Sequence, residues 1–129
     1  MRKKDKRFLI VDDEPDMCWA LECILEKNGF LTKKALSGTE ALSLIESECF
    51  RLVFLDAKLP DIDGLELAKQ IRKMDANIRI IIVSGYFYRD DVAIRKALEQ
   101  KLIWGFIGKP FFHEEILKAV KTPTCGDRC

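Results

Sequence analysis

The chain has 129 residues, 48% of them hydrophobic and 33% charged, with 22 basic against 21 acidic side chains. Those proportions suit one soluble globular domain that buries roughly two-thirds of its unfolded surface, and they exclude a disordered or staple-dependent chain. A formal charge of +1 gives no global pull toward nucleic acid or a membrane surface, so any charged site has to be local.

Met1 to Arg7 is strongly charged and is followed by only four apolar residues before Asp12, which is not a secretory signal peptide. No apolar run approaches the ~20 residues needed to span a bilayer. The five cysteines, Cys18, Cys23, Cys49, Cys125 and Cys129, are odd in number and lack the spacing of a disulfide framework. Reduced thiols in a cytoplasmic protein are therefore expected. With His113 the only histidine, no complete zinc set is expected.

Phe8 to Val11 reads as a buried strand that ends in the acids Asp12, Asp13 and Glu14. Pro15 suits the first turn of a helix, where its missing N–H is not needed. Met17, Ala20, Leu21, Ile24 and Leu25 then recur at helical spacing until Asn28-Gly29. A second strand is expected near Phe30 to Leu36, and Ser37 with Glu40 forms a capping box for a helix through about Ser47. Leu52 to Leu55, with Arg51 before it, is a short apolar strand of the kind buried on both faces of a parallel sheet. It ends in Asp56, and Pro60 and Gly64 mark the loop beyond.

A third helix begins near Asp63, with Leu67, Ala68, Ile71 and Met74 on one side. Arg79 to Val83 is the most hydrophobic strand and leads into Ser84-Gly85. A fourth helix is expected from around Asp90, with Ala93, Ile94, Ala97 and Leu98 along it. Ile103 to Ile107 makes a fifth strand ending at Gly108-Lys109-Pro110, and a last helix covers about His113 to Lys121. Pro123 and Gly126 mark a short tail, so residues 1–121 are expected to form the domain and 122–129 a tail or the start of a linker. Five strands alternating with five helices specify a parallel sheet with right-handed crossovers and helices on both faces.

In such a sheet the carboxyl ends of the strands form the binding edge. Four of them offer polar groups: Asp12 and Asp13, Asp56, Ser84, and Lys109. Each has a plain structural use, such as capping a loop for Asp56, capping the first helix for Asp12-Asp13, or facing solvent for Lys109. A shared site accounts for all four together. Three neighbouring carboxylates repel one another, and a divalent cation relieves that repulsion. Hard oxygen ligands with open positions suit Mg²⁺, which also accepts phosphate oxygens. A hydroxyl and an ammonium beside it suit a phosphoryl group, with Asp56 as the nucleophile.

Val11-Asp12-Asp13-Glu14-Pro15, Asp56 with Leu59-Pro60-x-x-Asp63-Gly64, Ser84-Gly85, and Phe106-x-x-Lys109-Pro110-Phe111 together resemble the receiver domain of two-component response regulators, over residues 7 to about 121. The resemblance implies a flavodoxin-like (βα)5 sheet of strand order 2-1-3-4-5, and transfer of phosphate from a sensor histidine kinase or phosphotransfer protein to Asp56. It implies direct Mg²⁺ ligation by Asp13, Asp56 and the Lys58 backbone carbonyl, with Asp12 acting through a water. Lys109 would contact the phosphoryl group, Ser84 would move toward it, and Phe106 would turn inward in response. The surface of the fourth helix, fifth strand and fifth helix would then address a downstream output domain or target protein, or form a phosphorylation-dependent dimer. A cytoplasmic signalling switch rather than an enzyme is implied, with no nucleic-acid or membrane contact by this domain.

The chain departs from the family pattern at three places. Leu102-Ile103 stands where a Gly-Ala pair is usual, with Trp104 next; Phe106 replaces a commoner Tyr; and Tyr86, Phe87 and Tyr88 crowd the loop after Ser84. Tyr86 and Lys58 are expected to flank the approach of a hydrolytic water to phosphorylated Asp56. Two other readings use the same residues: a receiver-like interaction module that is never phosphorylated, and a phosphohydrolase with an aspartate nucleophile. A nucleotide-binding module is disfavoured because no Gly-rich loop follows any strand.

Overall fold

A computed structural model describes residues 7–85, 91–109, 111 and 113–121. The positions singled out above at Tyr86, Phe87, Tyr88 and Pro110, and the tail from residue 122 with Cys125 and Cys129, lie outside the described residues. Five strands, β1 (Arg7–Val11), β2 (Leu31–Ala35), β3 (Leu52–Asp56), β4 (Arg79–Ser84) and β5 (Gly105–Gly108), alternate with five helices. The helices are α1 (Pro15–Lys27), α2 (Gly38–Ser47), α3 (Gly64–Met74), α4 (Val92–Glu99) and α5 (His113–Lys121). All strand pairings are parallel, in the order β2-β1-β3-β4-β5. This is the flavodoxin-like sheet that the alternation specifies.

The pleat divides the core in two. Leu9, Val11, Val53, Leu55, Ile80 and Ile82 pack with Ala41 of α2, Leu67 and Ile71 of α3, and Ile94 of α4. Their alternate neighbours Phe8, Ile10, Leu52, Phe54, Ile81 and Val83 pack with Leu21 and Leu25 of α1 and Ile116 of α5. Every residue of β3 and β4 is buried because helices cover both faces. Each fully buried Leu, Ile or Phe contributes about 1.5–3 kcal/mol, so the central strands are the least movable part of the molecule. At the edge, β2 exposes Lys33 and Lys34, charges that discourage further strand pairing.

Several boundaries move by a few residues for local reasons. Asp91, not Asp90, introduces α4: its carboxylate accepts the Ala93 N–H at 2.9 Å. The fifth strand starts at Gly105 rather than Ile103, because the chain is still closing the end of α4. The Leu102 and Ile103 amides both donate to Ala97 O. Lys101 supplies the left-handed turn usually given to glycine, at φ 61°. The Arg72 guanidinium straps this turn to the end of α3 by donating to Ala76 O, Ile78 O and Leu102 O.

The expectation of uniformly reduced thiols fails. Cys18 and Cys23 are free, but Cys49 is disulfide-bonded. An odd count limits how many thiols can pair, and does not say which ones the fold brings together. No helix among the described residues is long and apolar enough to cross a membrane.

Candidate functional site

The strand register carries the polar residues to one edge. Val11 pairs with Leu55, so Asp12 and Asp13 leave β1 alongside Asp56, the last residue of β3. Asp56 pairs with Val83, which brings Ser84 one step further along the next strand. Ser84 in turn pairs with Gly108, so Lys109 leaves β5 at the same level. Carboxylate oxygens of Asp12, Asp13 and Asp56 lie within 4.8 Å of one another. With Glu14, Lys58, Leu59, Pro60 and Lys109, the latter two acids line a cleft of about 300 Å³.

Lys109 is the hub of this edge. Its ammonium lies 2.9 Å from Asp12 Oδ2, 3.6 Å from Glu14 Oε1 and 3.7 Å from Asp56 Oδ1. Burial disfavours the charge, but the Asp12 hydrogen bond and the nearby acids outweigh it and hold the pKa above the ordinary lysine value. The Lys109 amide also donates to Ser84 O at 3.0 Å, tying the last turns of β4 and β5 together.

Asp12 is fixed from several sides. Its Oδ1 accepts the Glu14 N–H at 2.9 Å, its amide donates to Ala35 O at 3.1 Å, and its carbonyl accepts the Cys18 thiol at 3.3 Å. The Cys18 thiol is pushed up to about 11, first by burial and then by the charge of Asp12, so it is no thiolate nucleophile at neutral pH.

Asp56 is only 6% exposed. Burial first, and the Asp12 charge second, push its pKa up to about 6, against the pull of Lys109 and of the Lys58 N–H. The loop behind it is close-packed: a Cβ on Gly64 would stand 2.5 Å from Asp56 O and 2.7 Å from Ala57 Cα. Ser84 is fully buried at the end of β4. Phe106, paired with Ile82, lies in the core cluster on the α2, α3 and α4 side of the sheet.

The structure thus gathers Asp12, Asp13, Asp56 and Lys109, with Lys58 on the rim and Ser84 beside the edge, while Phe106 lies two residues deeper. Two residues had been passed over: Glu14, read only as the third acid of a run, is a second partner for Lys109. Asp61, which the sequence reading did not single out, makes the contacts described below. Nothing in the one-dimensional spacing marks either one. The donor set fits a hard divalent cation, since three carboxylates cluster here and burial with the Asp12 charge raises the Asp56 pKa.

A parallel five-stranded sheet with an aspartate trio and a lysine on its carboxyl edge is the arrangement of the response-regulator receiver class. The chain belongs to the response regulator receiver domain family, whose model matches residues 8–121. It is 37% identical over 117 residues to sporulation initiation phosphotransferase F of Bacillus subtilis, covering 91% of this chain and 92% of that one. Other curated relatives are longer, and the chain spans about half the length of the MprA response regulators of mycobacteria.

Among solved structures it is similar to a CheY-like response regulator receiver domain protein of Methanospirillum hungatei. That match has TM-score 0.83 and 32% identity, and covers 90% of each chain. It is also similar to the response regulator TrrA of Thermotoga maritima, solved in complex with Mg²⁺-BeF, at TM-score 0.78 and 34% identity, covering 90% of this chain and 96% of that one.

Proposed function

We propose that this domain is a phosphorylation switch that accepts a phosphoryl group on Asp56 from the phosphohistidine of a sensor kinase or phosphotransfer protein. The carrying observation is the position of Asp56, buried at the end of the central strand, 3.7 Å from Lys109 and within 4.8 Å of both Asp12 and Asp13. An Asp56 carboxylate oxygen attacks phosphorus, an acyl phosphate P–O bond forms, and the P–N bond to the donor imidazole breaks, leaving its electron pair on nitrogen.

Mg²⁺, when bound, supplies neutralisation of charge on the phosphoryl oxygens. Asp13, Asp56 and the Lys58 carbonyl would hold it, with Asp12 acting through a water. Lys109 neutralises the incoming phosphoryl group as a point charge, and the Ser84 hydroxyl offers it a hydrogen bond. Ser84 and Phe106 sit on neighbouring strands, at the edge and beneath it. That placement supports a two-state bias passed to the α4–β5–α5 face, where Trp104 is 49% exposed.

This is a cytoplasmic signalling role, with residues 1–121 as the receiver and 122–129 as a tail or linker start. Its partners are a kinase upstream and an output domain, a target protein or a second copy downstream. The Mg²⁺-BeF complex of TrrA and the name of the Bacillus relative support the same chemistry.

Intact-protein mass spectrometry after a small-molecule phosphodonor and Mg²⁺ should show one added phosphate, absent in Asp56→Asn. Equal labelling of the Asn variant would overturn the assignment. Steady turnover of a small phosphoester would point to a hydrolase instead.

A further inference from the structure

The loop from Ala57 to Gly64 forms the outer wall of the acidic cleft, through Lys58, Leu59 and Pro60. At its base the Gly64 amide donates to Ala57 O at 2.8 Å, and Lys58 and Asp63 form an isolated antiparallel bridge. Its tip is held from outside. Asp61 Oδ1 accepts the Gly38 N–H at 2.9 Å, and Oδ2 accepts both the Thr39 N–H at 3.0 Å and the Thr39 hydroxyl at 2.8 Å. Those amides open α2, which already has its own cap, since Ser37 Oγ accepts the Glu40 N–H at 3.2 Å. Asp61 is therefore a second cap that comes from a different loop.

Next to it, Ile62 fills the space over Gly38 so closely that a Cβ there would fall 2.3 Å from Cγ2 of Ile62. The Gly38 N–H first, then the Thr39 groups, hold the Asp61 carboxyl below its ordinary range, as expected of an anion at a helix start.

Resting on the cation site proposed above, we infer that Asp61 is a positioning residue: by latching the β3–α3 loop to the start of α2 it fixes the wall that presents the Lys58 carbonyl to a divalent cation. A ligand on a loop is only as well placed as the loop, and groups that orient ligands from behind typically change metal affinity 10–100-fold when lost. Asp61 acts through two intervening residues, Leu59 and Pro60, so the lower end applies, about tenfold.

The test compares Mg²⁺ binding by calorimetry in the parent, Asp61→Ala, Asp61→Asn and Ser37→Ala. Asp61→Ala should bind about tenfold more weakly. Asp61→Asn keeps an oxygen for the Gly38 amide but sets an NH2 against the Thr39 N–H, so it should fall between the parent and Asp61→Ala. Ser37→Ala removes a cap from the same helix without touching the loop, so it should lose stability but not Mg²⁺ affinity. Parent-like Mg²⁺ affinity in Asp61→Ala would overturn the latch. So would a loss in Ser37→Ala as large as in Asp61→Ala.

Amide exchange of the metal-free protein separates the latch from the cation site. Asp61→Ala should speed exchange at Gly64 as well as at Gly38 and Thr39, and unchanged Gly64 protection would refute the positioning role. If the parent takes up no Mg²⁺, the cation site is wrong, and the hold of Asp61 on the loop still stands or falls on Gly64.

Discussion

Asp56 gives the most direct test of the site's electrostatics. Its pKa rises from an ordinary 3.8 to about 6, chiefly through burial and then through Asp12. The folded protein therefore binds this proton more tightly than the unfolded chain does. Between about pH 4 and pH 6 the native state holds more of it, so the contribution of Asp56 to stability falls as pH rises through that window. Above about pH 6 the full cost of an ionised Asp56 is present. A rise from 3.8 to about 6 corresponds to about 3 kcal/mol at neutral pH.

Asparagine is nearly isosteric and neutral at every pH. In the presence of a chelator, Asp56→Asn should therefore be more stable than the parent by up to about 3 kcal/mol at pH 7, or about 10 °C in Tm. The two proteins should converge near pH 4. On the proposed cation site, added Mg²⁺ should narrow the gap at pH 7, since the parent offers it one more carboxylate than the variant does. Urea unfolding of both proteins at pH 4, 5, 6 and 7, with and without Mg²⁺, measures all of this. A variant no more stable than its parent at pH 7, or a gap that does not depend on pH, would refute the reasoning.

Three further outcomes follow from particular contacts. Lys101→Gly should raise stability by about 0.5–1 kcal/mol, because a left-handed φ of 61° strains lysine and not glycine; thermal unfolding checks it, and a lower Tm would mean that the turn is not strained. Gly64→Ala should cost about 3 kcal/mol, since its Cβ would press on backbone atoms of Asp56 and Ala57 that cannot move aside without shifting the site; denaturation is the measurement, and a neutral effect would show the loop to be pliable. Calorimetry should find Mg²⁺ affinity reduced more by Asp13→Ala than by Asp12→Ala. Asp13 is exposed at the cleft, whereas Asp12 is already engaged by Lys109 at 2.9 Å; equal losses would refute the ranking.

The architecture was legible because its signals are periodic and local. The apolar runs of β1, β3 and β4 and the helical spacing of α1 and α3 are each sufficient alone, and strict alternation leaves one class of sheet. Acids and a lysine at strand ends were legible too, since parallel register turns strand-end position into spatial proximity. What escaped depends on contacts between segments distant in sequence. Asp61 lies 23 residues from Gly38, and only the packing of α2 beside α3 reveals that it caps another helix. Arg72, which nothing in the sequence singled out, reaches 30 residues ahead to Leu102 O. The start of β5 was misplaced because Ile103 and Trp104 have strand-like side chains, while the Leu102 and Ile103 amides are still engaged by the end of α4.

The pairing of Lys109 with Asp12 adds something that the family resemblance did not contain. The resemblance assigns Lys109 to the phosphoryl group and Asp12 to a water, but the geometry joins the two directly, with Asp56 0.8 Å farther from the ammonium than Asp12. One ammonium faces Asp12, Glu14 and Asp56, and Asp13 adds a fourth carboxylate to the cluster. Four carboxylates thus share this edge with Lys109 and, on the rim of the cleft, Lys58. A divalent cation held by these acids would relieve their repulsion and weaken the hold of Asp12 on Lys109.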